Sequence, residues 1–348
     1  MRTPLISVLI DTYNYGRYIE QAIDSVLAQD FSTAEREILV VDDGSTDDTP
    51  ERMRKYGPAI TYLRKRNGGQ ASAFNFGLTR AGGKIVALLD ADDYWLPGKL
   101  RRLAEEFEKN PEAAMVYHAV RELRSIDGSV KDGGLPLVSG FLPACAKDLL
   151  SYVLYPASFL AFRRSAIEQL LPIPEGLTIQ ADAHLSGLAI FLGPVVSVPG
   201  YLAVYRIHGQ NLFAATGTIN PQRQELRLKT RQVLVNGMKY WLSERGWDLR
   251  QADLNAFFKQ WDLAQEDDEF VLMPPGRLRT SFHLAEYAWF QGPQLSWKHR
   301  TVTYLNAAGS LVVGYQNVHR LDEWRLAVKS AIGRGRGAEK SGEGAVPQ

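Results

Sequence analysis

The sequence predicts an α/β fold with a mostly parallel central sheet, followed by a C-terminal helical region. Short apolar, β-branched runs alternate with stretches of helical periodicity over residues 4–120, which is the pattern of strands joined by crossover helices. These runs are nearly continuous in apolar character, as expected for strands that are covered on both faces. Beyond about residue 220 the pattern changes to charged amphipathic helices.

Four runs are predicted as strands, at residues 5–10, 37–41, 59–63 and 84–89. Between the first two, apolar residues recur every three to four positions from Tyr18 to Leu27, which predicts a helix over residues 17–29 with one buried face. Thr49 is a suitable N-cap and is followed by a proline, so a short helix is expected there. Residues 121–141 contain Asp-Gly pairs and a proline and are predicted as surface turns.

The rest of the chain is predicted to contain two long helices, at residues 222–245 and 249–264. We place a domain boundary near residue 215, which gives an α/β domain over residues 1–215 and a helical region over residues 216–332. Residues 333–348 are rich in glycine and charge and bury too little apolar surface to order themselves, so they are predicted as a disordered tail.

Composition and charge exclude several classes of protein. With 40 Lys and Arg against 39 Asp and Glu, the bulk charge gives no support for nucleic-acid binding. Cys145 is the only cysteine, which excludes an internal disulfide and a cysteine-based zinc site. No apolar run resembles a signal peptide or reaches the roughly 20 residues of a membrane span. We therefore expect a cytoplasmic protein whose membrane contact, if any, is peripheral at the inner face of the cell membrane.

Three polar clusters directly follow three of the predicted strands. They are Asp11–Gly16, Asp42–Ser45 and Asp90–Asp93. In an open α/β sheet the carboxyl ends of the strands converge on one crevice, where ligands bind. The sequence therefore predicts one polar site built from three loops.

The third cluster places three carboxylates within four residues at the end of a buried strand. Their mutual repulsion favours a divalent cation, and carboxylate oxygens suit Mg²⁺ or Mn²⁺ ions that also bind substrate phosphates. Asp90 and Asp92 are the predicted metal-side pair. The alternative is that these carboxylates cap the helix that begins near Pro97 or are simply solvated.

The second cluster has the composition of an ordinary strand-to-helix turn, since Asp, Gly and Ser all favour turns. The functional alternative is that Asp43 accepts a hydrogen bond from a nucleobase imide while Tyr13 stacks on the base, as in a uridine or thymidine pocket. A further loop, Asn67–Ala73, contains a glycine pair and precedes a helix. Its backbone N–H groups are predicted to approach a donor phosphate or ribose, unless the glycines mark only a turn.

Together these pieces resemble the family 2 glycosyltransferases of the GT-A fold, over roughly residues 4–211. Five segments match in the family's order and spacing: Ser7–Asn14 (SVLIDTYN), Val40–Asp47 (VVDDGSTD), Asn67–Gln70 (NGGQ), Leu89–Asp93 (LDADD) and Leu202–Asn211 (LAVYRIHGQN). The resemblance implies inverting, metal-dependent transfer of a sugar from a UDP- or dTDP-type donor to an acceptor hydroxyl. It also implies a role in the synthesis of a surface polysaccharide or glycolipid.

The resemblance assigns residues to the donor as well. Asp43 and Tyr13 hold the base, Asp90 lies on the ribose side, and Asp92 holds the Mn²⁺ or Mg²⁺ that bridges the diphosphate. Arg206 and His208 contact the diphosphate, against the plainer alternative of a strand-end arginine and a loop histidine. The further donor contacts implied are Asp11, Thr12, Asn67, Gln70 and Ala91.

For catalysis the resemblance points to Ile179–Leu185, the segment where the family carries an acidic pair before a helix. Asp182 aligns with the aspartate of that pair and is the predicted catalytic base. Ala181 replaces the preceding glutamate, and His184 is the candidate to support the base in its place.

Two alternatives to a working transferase stay open at this stage. The absence of an acidic residue at Ala181 is compatible with a relative that binds nucleotide sugars without turnover, and nucleotidyltransferases use a similar α/β fold. The expected partners are the nucleotide-sugar donor and a saccharide or lipid-linked acceptor. The tryptophan-rich C-terminal helices are either core or an amphipathic surface that contacts anionic lipid.

Overall fold

The computed structural model describes residues 4–133, 137–141, 155–209, 211 and 221–272, which form nine strands and eight α-helices. The strands are β1 (Ile6–Thr12), β2 (Arg36–Asp42), β3 (Thr61–Arg64), β4 (Ile85–Asp90), β5 (Tyr94–Trp95), β6 (Met115–Arg124), β7 (Val130–Gly133), β8 (Leu160–Arg163) and β9 (Val195–Ile207). The helices are α1 (Gly16–Leu27), α2 (Thr49–Met53), α3 (Gln70–Leu78), α4 (Lys99–Lys109), α5 (Arg164–Ile167), α6 (Ala181–Ala189), α7 (Pro221–Glu244) and α8 (Ala252–Leu272).

Four parallel strands form one half of the sheet, in the order β3-β2-β1-β4. The central residues of β1, β2 and β4 are buried, and the four predicted strands and the α/β class are confirmed. The register pairs Asp11 of β1 with Asp90 of β4, and Thr12 of β1 with Asp42 of β2. The three predicted polar loops therefore leave the sheet side by side.

The other half of the sheet is mixed, in the order β8-β6-β9-β5. Strand β8 is antiparallel to both β4 and β6, whereas β6 and β9 are parallel. Strand β7 pairs antiparallel with β6, so this part of the chain forms a hairpin rather than the predicted run of surface turns. Gly128 lies in the hairpin turn with φ +67°, a conformation that favours glycine, so the Asp-Gly pair marked a turn between two strands.

The first helices differ from the sequence prediction only at their ends. Helix α2 begins at Thr49 with Asp48 as its N-cap, one residue earlier than predicted. The Asp47 carboxylate accepts hydrogen bonds from the Thr49 backbone N–H at 3.1 Å and from its hydroxyl at 2.6 Å, so it satisfies the start of the helix. Helix α1 carries the predicted buried stripe. Its fully buried members are Ile19, Ala22, Ile23 and Val26.

The described residues fall into two compact units. One contains the described residues up to 211 together with Lys229–Phe258, and the other contains Pro221–Leu228 together with residues 259–272. Most of α7 therefore belongs to the same unit as the α/β sheet, although the sequence predicts a separate helical region. The boundary near residue 215 itself stays a prediction.

Helix α7 contacts the segment that precedes α6. The Trp241 indole donates to the Gln169 carbonyl at 3.0 Å, and a Cβ added at Gly237 would lie 3.0 Å from the Pro174 ring. Trp241 is only 8% exposed and Trp261, in the other unit, 3% exposed. These two tryptophans are core residues, which agrees with the core alternative for them and not with a lipid-contacting surface.

Several sequence predictions fall outside the described residues. They are the disordered tail at residues 333–348 and the part of the helical region beyond residue 272, which carries Trp289, Trp297 and Trp324. Of the helices that are described, none has the length and apolar character needed to cross a membrane.

Gly77 of α3 lies directly on the parallel strands, where an added Cβ would be 2.3 Å from Leu9 Cδ1 and 2.8 Å from Val41 Cγ2. We expect Gly77→Ala to lower the free energy of unfolding by about 1–3 kcal/mol, because the helix must move off the sheet to admit the methyl group. Gly82→Ala is the control, since its Cβ would meet no atom closer than 3.3 Å. Urea denaturation compares the two variants, and equal midpoints would contradict this close packing.

Candidate functional site

The first two polar loops are joined by hydrogen bonds around Asn14. Its amide oxygen accepts from the backbone N–H groups of Thr46 at 2.7 Å and Asp47 at 3.3 Å, and its own N–H donates to the Ser45 hydroxyl at 2.9 Å. Asn14 has φ +59°, a left-handed conformation that asparagine tolerates better than most residues. Tyr13, the predicted base-stacking residue, is thus held on a fixed turn with 44% of its surface exposed.

The two aspartates of the second loop have different partners. Asp42 is fully buried and accepts hydrogen bonds from the Ser45 backbone N–H at 2.7 Å and from the Tyr62 hydroxyl. Asp43, which is 3% exposed, accepts from the Lys65 ammonium at 2.7 Å. Asp42 therefore stabilises the loop to which it belongs, whereas the Asp43 side chain binds the loop that follows β3.

Asp43 organises this glycine loop. Its carboxylate accepts the backbone N–H groups of Gly68 at 3.0 Å and Gly69 at 2.7 Å. The sequence predicts that these N–H groups approach a donor phosphate or ribose, but the structure directs them at Asp43, because a buried carboxylate requires hydrogen-bond donors. Asn67 begins the loop in an exposed position. A nucleobase can reach the Asp43 carboxylate only by sharing or displacing these donors.

Gln70 connects Asp90 with helix α6. Its Nε2 lies 3.5 Å from Asp90 Oδ1, and its Oε1 accepts the backbone N–H of Ala181 at 2.9 Å. The Gln70 backbone N–H donates to the Thr178 carbonyl at 3.0 Å. This approach requires glycine at position 69, where φ is +85° and an added Cβ would be 2.6 Å from Thr178 Cα. The glycine pair therefore serves a close contact between two segments of the chain.

The third loop encloses its carboxylates at the end of β4. Asp92 and Asp93 are 7% and 0% exposed, and Ala91 is 2% exposed. Asp93 accepts hydrogen bonds from the Ser158 hydroxyl at 2.5 Å and from the Arg206 backbone N–H at 2.8 Å. No side chain caps helix α4, so the helix-cap alternative for these carboxylates is wrong. Asp93 instead ties the loop to β9 and to the turn before β8.

His208 lies against Asp92, with 2.9 Å between Nε2 and Oδ2. The imidazole stacks on the Tyr18 ring at 4.7 Å between centroids and meets the Tyr15 ring edge-on at 5.9 Å. The Asn211 side chain accepts the His208 backbone N–H at 2.8 Å. Two side chains that are 116 positions apart in the sequence thus form one pair with metal-ligand chemistry.

Arg206 is engaged by aromatic rings and a glutamine. Its guanidinium lies 4.7 Å from the centre of the Tyr18 ring and 5.4 Å from that of Tyr94, and it donates to the Gln21 side chain at 2.5 Å. The diphosphate contact that the resemblance implies stays a prediction, as does the plainer alternative of a strand-end arginine.

Asp182 lies in the first turn of α6. Its Oδ2 accepts the backbone N–H of Ala157 at 3.0 Å, and its Oδ1 accepts that of Ala183 at 2.9 Å. Burial raises the pKa of Asp182 to about 6, although these two hydrogen bonds favour the ionised form. The residue keeps part of its surface accessible. An accessible carboxyl that exchanges a proton near neutral pH is suited to general base catalysis.

His184 does not support Asp182. Its side chain is 2% exposed, its Nδ1 has no hydrogen-bond partner, and its Cε1 would lie 3.7 Å from a Cβ added at Gly237. The imidazole therefore packs towards α7, because residues two positions apart on a helix face different sides. Burial lowers the pKa of His184 to about 4, so the ring is neutral at ordinary pH.

The carboxylates of the polar loops and of α6 interact electrostatically. Burial, and then the charges of Asp92, Asp182 and Asp43, raise the pKa of Asp11 to about 8. Burial, and then the charge of Asp11, raise the pKa of Asp90 well above its ordinary value. The structure thus brings together five predicted carboxylates from four separate segments of the sequence, and it concentrates negative charge where they meet.

This charge and the available side chains fit a divalent cation. Asp11 Oδ1 and Thr12 Oγ1 are buried without a hydrogen-bond partner. Asp92 and His208 are paired, but within the described ranges no group of three or more His, Cys, Asp or Glu side chains is arranged to hold a metal. A two-ligand set suits an ion that completes its coordination with substrate phosphates and water, as Mg²⁺ does.

The sequence analysis does not assign Tyr18 to the site. This residue falls in the apolar stripe of α1, where an aromatic side chain fits the helical period, so the sequence gives no sign of its contact with His208. Ser158 lies in Pro156–Ser158, which the family resemblance matches to the segment that approaches the acceptor, against the alternative of plain core. Its hydrogen bonds to the Asp90–Asp93 loop are a finding of the structure.

Comparison with known proteins gives the family. A profile described as Glycosyl transferase family 2 matches residues 7–171. An uncharacterized glycosyltransferase of Nostoc sp. (strain PCC 7120) is 40% identical over 228 residues, which cover 61% of this chain and 68% of that protein. The chain belongs to glycosyl transferase family 2. This glycosyltransferase carries all three acidic loops inside the matched residues, whereas Asp182 and His208 lie beyond them.

Solved structures show the fold of this glycosyltransferase. TarS from S. aureus, in complex with UDP-GlcNAc, aligns with a TM-score of 0.58 and 18% identity over 93% of this chain and 92% of that chain. The mannosyltransferase PcManGT from Pyrobaculum calidifontis, in complex with GDP-Man and Mn²⁺, aligns with a TM-score of 0.50 and 19% identity over 90% and 88%. The predicted GT-A architecture is confirmed.

Asn14 is expected to hold the first two loops together. Asn14→Ala should lower the free energy of unfolding by about 1–2 kcal/mol, because alanine is strained at positive φ and two backbone N–H groups lose their acceptor. Asn14→Gly removes the acceptor without the strain, so its loss should be smaller. Urea denaturation measures both, and an alanine variant as stable as the natural protein would rule out this role for Asn14.

Proposed function

We propose that this glycosyltransferase is an inverting enzyme that moves a sugar from a UDP- or dTDP-type nucleotide sugar to an acceptor hydroxyl. The observation that carries the proposal is the surroundings of Asp182. This carboxyl has a pKa of about 6, and its charge acts on Asp11 and Asp90, the carboxylates of the donor-side loops. A residue suited to act as a base is thus part of the cluster proposed to hold the donor.

In the proposed reaction the acceptor hydroxyl gives its proton to Asp182 while its oxygen bonds to the anomeric carbon of the donor sugar. The bond from that carbon to the diphosphate oxygen breaks, and the nucleoside diphosphate leaves with the bonding electrons. Displacement in one step inverts the anomeric centre. The hydrogen bonds from Ala157 and Ala183 orient the Asp182 carboxylate before the acceptor arrives. Nearby carboxylates favour the positive charge that develops on the sugar.

The nucleoside is proposed to bind over the first two loops. The exposed Tyr13 ring is available for stacking, and Asp43 is the acceptor for the base imide once it shares the Gly68 and Gly69 donors. TarS binds UDP-GlcNAc, which supports a uridine-type donor. The remaining donor contacts proposed are Asp11, Thr12, Asn67, Gln70, Asp90 and Ala91.

A divalent cation, Mn²⁺ or Mg²⁺, is proposed at Asp92 and His208, with Asp90 as the second carboxylate. When bound, the ion would stabilise the negative charge of the departing diphosphate. The Asp92 and His208 side chains are only 10% and 2% exposed, so little ordering is needed before they bind a cation. PcManGT holds Mn²⁺ together with its nucleotide sugar, which supports this class of cofactor. Arg206 is proposed to act through Tyr18, on which both it and His208 pack.

The proposed acceptor is a saccharide or lipid-linked saccharide, in the synthesis of a surface polysaccharide or glycolipid. A cytoplasmic site of action, with peripheral membrane contact through the C-terminal helices, is proposed with it. The alanine at position 181, where the family carries a glutamate, leaves the proposed base in a fixed position. The Asp182 carboxylate accepts hydrogen bonds from two backbone N–H groups, and the Ala181 N–H donates to the Gln70 side chain. The proposal is therefore a working enzyme rather than a binding-only relative.

Asp182→Asn tests the assignment of the base. We expect kcat to fall by at least about 100-fold, the usual contribution of general base catalysis, while the affinity for the donor is unchanged. Asp30→Asn is the matched control, since that side chain is 85% exposed. Release of UDP measures turnover, and calorimetry measures donor binding. Turnover at the natural rate in the Asp182 variant would remove the residue from this role.

The pH dependence of kcat/KM for the acceptor tests the same residue without a mutation. Only ionised Asp182 accepts a proton, and burial raises its pKa to about 6, so kcat/KM should rise with pH through a midpoint of about 6 and level off above it. Initial rates at limiting acceptor, about two pH units either side of the midpoint, measure this profile. A kcat/KM that falls as pH rises through this range would be incompatible with a carboxylate base.

Thermal unfolding tests the metal. Mn²⁺ should raise the melting temperature more in the presence of UDP than alone, because the diphosphate would supply oxygen ligands to the ion and both would bind the native state. Asp92→Asn and His208→Ala should lose the increment from Mn²⁺ and keep part of that from UDP, and Asp30→Asn should keep both. An undiminished Mn²⁺ increment in both site variants would place the ion elsewhere.

A further inference from the structure

A short turn before β8, Ala157–Phe159, contacts both halves of the proposed site. The backbone N–H of Ala157 donates to Asp182 Oδ2 at 3.0 Å. The next residue, Ser158, donates its hydroxyl proton to Asp93 at 2.5 Å and accepts the backbone N–H of Asp90 at 3.0 Å. Two consecutive residues thus join the proposed base to the loop that carries the metal-side carboxylates.

Ser158 is itself held by Lys99. The Lys99 amine donates to the Ser158 carbonyl at 2.5 Å and lies 2.9 Å from His118 Nε2. His118 Nδ1 lies 3.0 Å from the Ala119 carbonyl and therefore carries the proton, which leaves Nε2 as an acceptor for Lys99. The Lys99 nitrogen also lies 4.4 Å from the centre of the Trp95 ring. The Ser158 carbonyl is therefore bound by the Lys99 amine, and this amine is held in place by His118 and by the Trp95 ring.

This arrangement is fully enclosed. Ser158, Lys99 and His118 are each 0% exposed, and lysine is almost never fully buried without a specific partner. Burial lowers the pKa of Lys99 well below its ordinary value, and the nearby charge of Asp93 opposes that shift. An apolar side chain of similar size would avoid the desolvation cost. Unlike an apolar side chain, Lys99 holds the Ala157–Phe159 turn in place through its hydrogen bond to the Ser158 carbonyl.

We infer that Ser158 and Lys99 are positioning residues for glycosyl transfer, because together they fix the turn that sets the Asp182 carboxylate relative to the Asp90–Asp93 loop. The inference rests on the proposed function, since it requires Asp182 to act as the base. Both side chains are inaccessible to solvent, so they act through the Asp93 carboxylate and the N–H groups of Ala157 and Asp90.

Loss of the Ser158 hydroxyl should therefore change the reaction in three measurable ways. In Ser158→Ala, kcat should fall by about 10- to 100-fold, since a misplacement of about 1 Å can cost a hundredfold. The Mn²⁺ concentration for half-maximal activity should rise, because the loop that ends in Asp93 loses an anchor. The pH midpoint of kcat/KM should rise by about one unit, as expected when Asp182 loses much of its hydrogen bond from Ala157. The charged and titratable groups that act on or beside Asp182 (Asp11, Asp90 and Tyr205) are unchanged in this variant.

Ser7 provides a matched control. It is also 0% exposed, its hydroxyl donates to the Glu37 carboxylate, and it accepts the backbone N–H of Gly83 at 2.7 Å. The same pair of hydrogen bonds is thus lost in Ser7→Ala, but near the start of β1, at the opposite end of the sheet from the polar loops. Ser7→Ala should lower the melting temperature and leave the Mn²⁺ requirement and the pH midpoint at their natural values.

The experiment compares the natural chain with Ser158→Ala, Ser158→Thr, Lys99→Met and Ser7→Ala. Release of UDP or dTDP is followed with the most active donor among UDP-GlcNAc, UDP-glucose, UDP-galactose and dTDP-rhamnose, over a range of pH and Mn²⁺ concentration. Ser158→Thr, which keeps the hydroxyl, should restore the natural pH midpoint. Lys99→Met should shift the midpoint in the same direction as Ser158→Ala, and it decides the question if Ser158→Ala does not fold.

A natural pH midpoint and Mn²⁺ requirement in both Ser158→Ala and Lys99→Met would overturn the inference, whatever their melting temperatures. Shifts of the same size in Ser7→Ala would overturn it too, because they would report general loosening of the fold. Failure of the proposed function is distinguishable, since in that case the natural chain itself releases no UDP or dTDP from any of the four donors.

Discussion

The parallel register of β1, β2 and β4 is the constraint on which the rest of the site depends. It aligns Asp11 with Asp90 and Thr12 with Asp42, so that three loops rich in carboxylates leave the sheet at neighbouring positions. Burial, and after it the repulsion between neighbouring carboxylates, raises the pKa of Asp11 and of Asp90. A cluster of carboxylates of this kind is stabilised by a cation, which is the role proposed for Mn²⁺ or Mg²⁺.

The carboxylates of this cluster are of two kinds. Some are fully hydrogen-bonded within the protein and shape the loops, and others are left available to a ligand. Asp42 and Asp93 have their hydrogen bonds satisfied by Ser45, Tyr62, Ser158 and the backbone of Arg206. The unpartnered Asp11 Oδ1 and the partly accessible Asp182 lie among them. Neighbouring aspartates in one motif thus have different roles, one structural and one in the proposed site. The role of each is set by its hydrogen-bond partners and not by its order in the sequence.

Local patterns were enough to predict the strands β1–β4, helix α1 and the three polar loops, because apolar periodicity and strand-end position are properties of short segments. The pairing of His208 with Asp92 and of Ser158 with Asp93 depends on strands that meet only in the folded sheet, and no spacing in the sequence encodes it. The same limit applies to His184, because tertiary packing decides whether its ring faces Asp182 or α7. The sequence does not distinguish the hairpin β6–β7 from open turns, because both carry the same Asp-Gly signal.

Asp182 is proposed to act as the base in a single displacement at a donor held by the acidic loops. The most direct test is to determine by NMR the anomeric configuration of the product formed from an α-linked UDP-sugar in the presence of Mn²⁺. A single displacement gives a β-linked product and free UDP in equal amounts. An α-linked product, or release of pyrophosphate in place of UDP, would contradict it.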